Sequence, residues 1–324
     1  MKGLLLFIAI VFSVVLSFAN FQLPVENADR LVSSYGEARL SHDLKNLNFL
    51  LGLGISTGEK SGIVIKNMKE GYVERIVSNN AYFGTAIFIN HHDNTQARYI
   101  GLSRLTGEFT KIYEAVKAEF ERSEISITFE EGEFRIPQGE PIGFSGASGF
   151  FKIPSVYIEL IDLKTSQTLN PLKTLDLSLE DRDYRILFKK IRVNMQEYSF
   201  SQGAVYPYSG DKPMVDILIE NASSNSEFKL ALDQLRVTID GVEVLAIIMD
   251  QIPLELRDKA SRVFGEKTNH QTFWYRITTP WTTSPVVKNE IRKFEAFNDK
   301  IKVEVEATDI FGTVQQAEFW LKRR

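Results

Sequence analysis

The sequence predicts a mainly β fold. Three observations carry that expectation. Apolar and polar residues alternate over short runs, most cleanly in Ile301-Lys302-Val303-Glu304-Val305-Glu306-Ala307, and a period of two marks a strand with one buried face. Turn residues punctuate the chain at short intervals, and Asp240-Gly241 between two alternating runs is the strongest hairpin signal. Helical periodicity is confined to residues 111–122 and 253–264.

The first residues set the compartment. Lys2 gives a short positive start, Leu4 to Phe18 run apolar apart from Ser13 and Ser17, and Ser17-Phe18-Ala19 has the small-x-small form of a cleavage site. Residues 1–19 therefore read as a secretory signal peptide, with export to the periplasm or the extracellular envelope. The apolar run falls short of the roughly 20 residues that span a bilayer, which argues against an uncleaved anchor. No later stretch is long and apolar enough to span, so no membrane span is expected after cleavage. At about 150 residues per domain, the rest of the 324 residues suggests two domains. Charged residues make up 25% and the net charge is −4, which leaves no electrostatic footprint for nucleic acid. The chain has 0 cysteines. That excludes a thiol nucleophile, a lipidated N-terminal Cys and a Cys-ligated zinc, and leaves stability to the cores.

In chain order, residues 20–48 read as mostly irregular, with a turn at Tyr35-Gly36 and a capped turn at Ser41-His42-Asp43. Phe49 to Thr57 reads as a strand with a glycine bend at Gly52 and Gly54. Gly58-Glu59-Lys60-Ser61-Gly62 has the wrong spacing for a phosphate loop and reads as a hairpin turn. Strands are expected at Ile63–Ile65, Gly71–Val77, Thr85–Ile89 and Ala97–Ile100, with a tight turn at Asp93-Asn94. The helix expected in this half, Lys111 to Arg122, carries the apolar residues Ile112, Ala115, Val116, Ala118 and Phe120. Ile125–Phe129 and Phe134–Ile136 flank Glu130-Glu131-Gly132-Glu133 and read as a hairpin, then Ile142 and Ser155–Ile161 as strands. Leu169-Asn170-Pro171-Leu172 is the expected boundary between residues 20–172 and 173–324. Beyond it lie strands at Tyr184–Val193, Val215–Glu220, Leu235–Ile239, Val242–Ile248, Thr272–Thr278, Ile301–Ala307 and Val314–Leu321, and a short helix at Pro253–Phe264. About seven strands in about 150 residues fit an immunoglobulin-like β-sandwich.

The order and spacing of several segments in residues 22–172 resemble the lysostaphin-type (LytM-domain, M23) zinc metallopeptidases, which cut peptide cross-links in bacterial cell walls. The matching segments are Tyr35-Gly36-Glu37-Ala38-Arg39, Leu50 to Ile55, Gly62 to Val73, Phe83-Gly84 through His91, Tyr99-Ile100-Gly101-Leu102, Ile136 through Gly149, Pro154 to Glu159, and Asn170-Pro171-Leu172. The resemblance implies a LytM-like β-sheet groove domain followed by the sandwich. In the family, a His and an Asp of the second segment and a His of the penultimate one hold zinc; Leu50, Gly54 and Tyr157 stand there. Two further histidines act on substrate and water; Gly101, after Tyr99, and Ser155 stand there. A catalytic zinc needs three donors and an open water position. Leu and Gly donate nothing, and a Tyr or Ser hydroxyl must first lose a proton. The six positions Leu50, Gly54, Tyr99, Gly101, Ser155 and Tyr157 thus read as a vestigial groove, with no catalytic residue, no metal and no cofactor.

The reading that follows is a pseudoenzyme of the cell envelope that binds peptidoglycan peptide or regulates a cell-wall hydrolase. An active endopeptidase with ligands rearranged around His42, His91 or His92 is one alternative; an envelope scaffold or adhesion module acting through the sandwich is another. The residues also allow plainer readings. His42-Asp43 and His91-His92 sit at turns, and His270 in a polar loop. Gly143-Phe144-Ser145-Gly146-Ala147 lacks the second glycine of a nucleophile elbow. Glu130-Glu131 reads as a solvated charge run. Phe273-Trp274-Tyr275 with Trp281 offers rings for sugar stacking, but alternate packing into a core explains them as well.

Overall fold

Alternating and fully apolar runs can bury their faces only by stacking sheets, and the chain does so twice. The computed structural model describes residues 21–26, 28, 30–41, 46–120, 124–175, 183–291 and 299–324. The signal segment, His42, Asp43 and Arg122 lie outside them.

The first half is built on a 10-stranded sheet whose main path of seven strands runs Leu31–Ser33, Leu53–Ser56, Ser155–Asp162, Thr95–Leu102, Gly84–Asn90, Gly71–Asn80, Ile125–Thr128, with Arg135–Ile136, Gln167–Leu169 and Gln251–Pro253 pairing off that path. The central strand Ser155–Asp162 is buried along nearly its whole length. Its even-numbered residues Val156, Ile158 and Leu160 join Tyr99, Ile87 and Ile89 in one apolar cluster. Ile65, Leu105 and Ile142 cover that face from a 3-stranded sheet, Val64–Lys66, Pro141–Phe144 and Arg104–Leu105. Phe109 covers it from the helix Gly107–Phe120. Tyr157 faces the other way, into a smaller cluster.

The second half forms a 4-stranded and a 6-stranded sheet. Ile191, Val193, Ile217 and Ile219 of the first meet Val237, Val303, Val305 and Phe319 of the second in a shared core. Asp240 and Gly241 take φ of 46° and 83°, the two left-handed positions of a type I′ hairpin turn.

Several elements depart from the sequence reading. Residues 20–48 are mostly irregular where they are described, but they also contribute the short strands Leu31–Ser33, Ala38–Leu40 and Leu47–Phe49, each too short to show a period. The loop at residues 58–62 is not a hairpin, because Leu53–Ser56 and Val64–Lys66 belong to different sheets. Ile125–Thr128 and Arg135–Ile136 do not pair with each other. Both run antiparallel to Gly71–Asn80, one after the other on the same edge. The residues between fold outward, and Phe129 and Phe134 close against Phe109 with ring centroids 4.8–6.2 Å apart. The expected second helix is a 3-10 segment, Leu254–Arg262, with non-helical backbone at Lys259. Contacts rather than propensity hold so short a helical segment. The sandwich sheets hold more than seven strands because short strands such as Val205–Tyr208 and Val286–Asn289 line their edges.

The halves are interleaved. Tyr35, Ala38, Phe49 and Leu51 pack in the core of the sandwich sheets. The strand Gln251–Pro253 extends the large sheet by pairing with Gln167–Leu169. Asn170 caps the turn Pro171–Lys173 through Leu172 N and donates to Met249 O at 2.8 Å and Asp233 Oδ1 at 3.2 Å.

Candidate functional site

The neighbouring strands Leu53–Ser56, Ser155–Asp162 and Thr95–Leu102 set Gly54 beside Tyr157 and Tyr157 beside Ile100. Leu50, Ile100 and Tyr157 share one buried cluster with Val77, Ala86 and Phe88. Gly101 has φ +80°, and a Cβ there would meet Phe151 at 3.5 Å. Phe151 stacks on Tyr157 with centroids 4.4 Å apart and planes 27° apart. Gly54 faces the edge strand, where a Cβ would lie 2.4 Å from Ser33 Oγ. Ser155 pairs with Ser56 and donates its hydroxyl to Ile153 O at 3.1 Å. Leu50, Gly101 and Tyr157 therefore lie around Phe151, whereas Gly54 faces Ser33 and Ser155 lines the cleft that Phe151 also lines. Tyr99 does not join them. It points to the opposite face, where its hydroxyl donates to Asn67 Oδ1 at 3.0 Å and accepts from Met68 N at 2.7 Å.

The donor chemistry here does not fit a zinc ion. Leu50 and Gly54 offer no donor atom. Tyr157 is 1% exposed, and burial raises its phenol pKa well above the ordinary value, so it stays protonated. Among the described residues no three His, Cys, Asp or Glu side chains group to hold a metal. His91 is buried just past the end of the strand Gly84–Asn90. Its Nδ1 lies 2.9 Å from Glu70 O, and Phe21 meets its ring edge-on at 5.5 Å. Burial lowers its pKa. Ser145 is also structural: its hydroxyl donates to Lys60 O at 2.7 Å and accepts from Ile63 N at 3.0 Å.

Two residues beyond Tyr157 on the same face, Glu159 is 0% exposed. Arg98 approaches it at 3.4 Å, Arg257 at 3.0 Å, and the Tyr82 hydroxyl donates to it at 3.2 Å. Arg257 comes from the 3-10 segment of the second half and lies 4.7 Å from the Tyr82 ring centroid. Burial raises the Tyr82 pKa, and the charge of Glu159 adds to that. Burial also lowers the Arg98 pKa against the pull of Glu159. Two guanidinium groups on one carboxylate meet the requirement that buried charge be paired.

Above Ser155 opens a cleft of about 650 Å³. Val32, Ser33 and Arg39 line it from the N-terminal strands, Phe150 to Ile153 from the loop before Ser155, and Glu227, Phe228 and His270 from the second half. Arg39 is held by an ion pair to the fully buried Glu37, which also accepts from Ser34 N at 2.9 Å. Burial raises the Glu37 pKa, and Arg39 opposes the shift. His270 is exposed, as its polar loop implied, yet it lines this cleft. Burial lowers its pKa and Arg39 adds to the effect. The sequence reading missed Phe150, Phe151, Lys152, Glu159 and Arg257 as site residues. The Phe150-Phe151 pair after a glycine-rich loop was a visible signal; nothing local pointed to Arg257, Phe228 or His270.

No protein-family model matches the sequence, and no curated protein matches it. Among solved structures, the chain is similar to a zinc-containing peptidase from Vibrio cholerae, at 18% identity over 44% of this chain and 37% of that one, TM-score 0.33. The match thus spans just over a third of that protein's length. The chain is also similar to the catalytic domain of the antimicrobial peptidase lysostaphin from Staphylococcus simulans, at 17% identity over 45% and 92%, TM-score 0.31. A third similar structure is the SpoIIQ–SpoIIIAH pore-forming complex, at 16% identity over 48% and 91%, TM-score 0.35.

Proposed function

We propose that this protein is a non-catalytic relative of the LytM-domain metallopeptidases, exported to the cell envelope, which uses the cleft above Ser155 to bind wall peptide or a cell-wall hydrolase. One observation carries the reading. The positions where the resembling family places zinc donors hold Leu50, Gly54 and a protonated Tyr157, and Phe151 stacks on that tyrosine. Zinc lowers the pKa of its bound water to about 7; no donor set here would hold it. The cleft keeps the attributes of a binding site. Its volume of about 650 Å³ sits inside the roughly 300–1,000 Å³ of ligand sites. Its apolar wall of Phe150, Phe151 and Ile153 is edged by Arg39, Lys152 and Glu227, a mixture suited to a peptide with an apolar body and charged ends.

The test uses the purified full chain. Metal analysis after zinc dialysis is expected to find far less than one zinc per chain, and purified cell walls are expected to stay turbid with or without chelator. The same chain is expected to co-sediment with those walls or to retain a wall hydrolase, and Phe151→Lys is expected to weaken that binding. Stoichiometric zinc with chelator-sensitive wall cleavage would overturn the proposal.

A further inference from the structure

Of the three tryptophans, Trp274 is buried at 3% exposure, while Trp281 leaves 40% of its surface in solvent. Trp281 lies in a loop without regular structure, yet its backbone is clamped. Its N–H donates to Thr279 Oγ1 at 3.3 Å, and its carbonyl accepts from Asn289 Nδ2 at 2.6 Å. The same Asn289 amide donates to Thr279 O at 2.7 Å, and the Thr279 hydroxyl donates to Arg262 O at 2.7 Å. The Arg262 guanidinium lies 4.1 Å from the indole centroid and donates to Thr283 Oγ1 at 3.3 Å. The loop thus presents an aromatic ring at a set angle, backed by a cation and edged by the exposed Thr282 and Thr283.

We propose that this shelf of Trp281 and Arg262 is a saccharide-binding site that takes a β-linked hexopyranose. Such a sugar has one face made of C–H groups, which stacks on the indole face opposite Arg262, and equatorial hydroxyls around its rim, which suit the threonine hydroxyls at the ring's edge. Size separates this ligand from a protein partner. A stable protein interface buries about 800 Å² per partner, and beyond Trp281 this loop and its flanking strand expose one large apolar side chain, Val287, among the described residues. One sugar ring covers one indole. A ligand cation is also disfavoured, because Arg262 already occupies that role at the ring. The inference does not depend on the cleft or on the fate of the zinc positions.

The test is ¹⁹F NMR of the full chain carrying 5-fluorotryptophan, with Trp281→Phe assigning the resonance. The probes are the β-1,4-linked hexasaccharides of N-acetylglucosamine and of glucose. Either probe is expected to shift the Trp281 signal with a Kd near 1 mM, about 4 kcal/mol of binding, while the Trp274 signal stays fixed. Trp281→Ala is expected to abolish binding, and Arg262→Ala to weaken it several-fold without changing the thermal midpoint by more than about 2 °C. The inference is overturned by no Trp281 shift with either probe at about ten times that Kd, by equal affinity in Trp281→Ala, or by a shift produced only by an apolar peptide, which would mark the shelf as a protein contact.

Discussion

Glu159 shows how much one residue can set in this structure. Its carboxylate has no exposed surface and is held by Arg98, Arg257 and Tyr82. Glu159→Ala would leave two guanidinium groups without their carboxylate, and breaking a buried ion pair from one side costs about 3–5 kcal/mol. Urea unfolding is expected to show a loss of that size, with Glu159→Gln losing less because its amide oxygen still accepts. His91 makes a different prediction. Its folded pKa is lowered by burial, with Lys69 and His92 adding to that and Glu70 O and Asp93 opposing it. The folded state thus favours the neutral ring. Below the unfolded pKa of about 6.5, the unfolded chain binds the proton first, so stability is full above that pH and falls as the pH drops toward the folded pKa. His91→Gln is expected to flatten the fall in melting temperature between about pH 7 and pH 5.

At the scale of elements, the loop from Gly149 to Ile153 decides what covers the face that carries Tyr157. A Cβ on Gly149, at φ +68°, would lie 2.3 Å from Gly84 N and 2.6 Å from Tyr82 O. That close approach of two loops places Phe151 against the Tyr157 cluster, with Tyr82 stacked 6.0 Å from Phe150. Gly149→Ala combines the clash with a left-handed backbone that by itself costs about 1–3 kcal/mol. It is expected to destabilise by at least that amount and to alter the near-UV circular dichroism of the Tyr82–Phe151–Tyr157 cluster. Gly101→Ala is expected to do less: its φ is equally unfavourable at +80°, but the nearest atom, on Phe151, is an ordinary contact at 3.5 Å.

The whole molecule is joined by side chains that reach across its halves. Ser34 Oγ accepts from Ala231 N at 2.8 Å and donates to Glu37 Oε2 at 3.0 Å. Tyr35 bonds Thr168, and Thr168 bonds Ile252 O at 2.8 Å. A fragment of residues 173–324 would lack Tyr35, Ala38, Phe49 and Leu51, which pack in its core. Burying an aliphatic or aromatic side chain contributes about 1.5–3 kcal/mol, and a domain is stable by only about 5–15 kcal/mol. That fragment is expected to unfold without a sharp thermal transition, whereas the full chain melts cooperatively. A separately stable fragment 173–324 would mean that these contacts are dispensable.

What the sequence determined by itself was local. Clean alternation in Ile301 to Ala307 and the Asp240-Gly241 pair predicted a strand and a hairpin, because both signals depend on neighbours along the chain. The absence of donors at Leu50 and Gly54 was equally plain, since a side chain without N, O or S cannot ligate whatever surrounds it. Pairing partners were not legible. Ile125–Thr128 and Arg135–Ile136 looked like a hairpin, yet both turned to Gly71–Asn80, because register depends on which long strand offers its edge. Only the tertiary structure brought Arg257 to Glu159, Phe151 onto Tyr157 and His270 to the cleft beside Arg39. Those residues stand far apart in the chain or in loops without a period, and burial and charge pairing act through space rather than along the sequence.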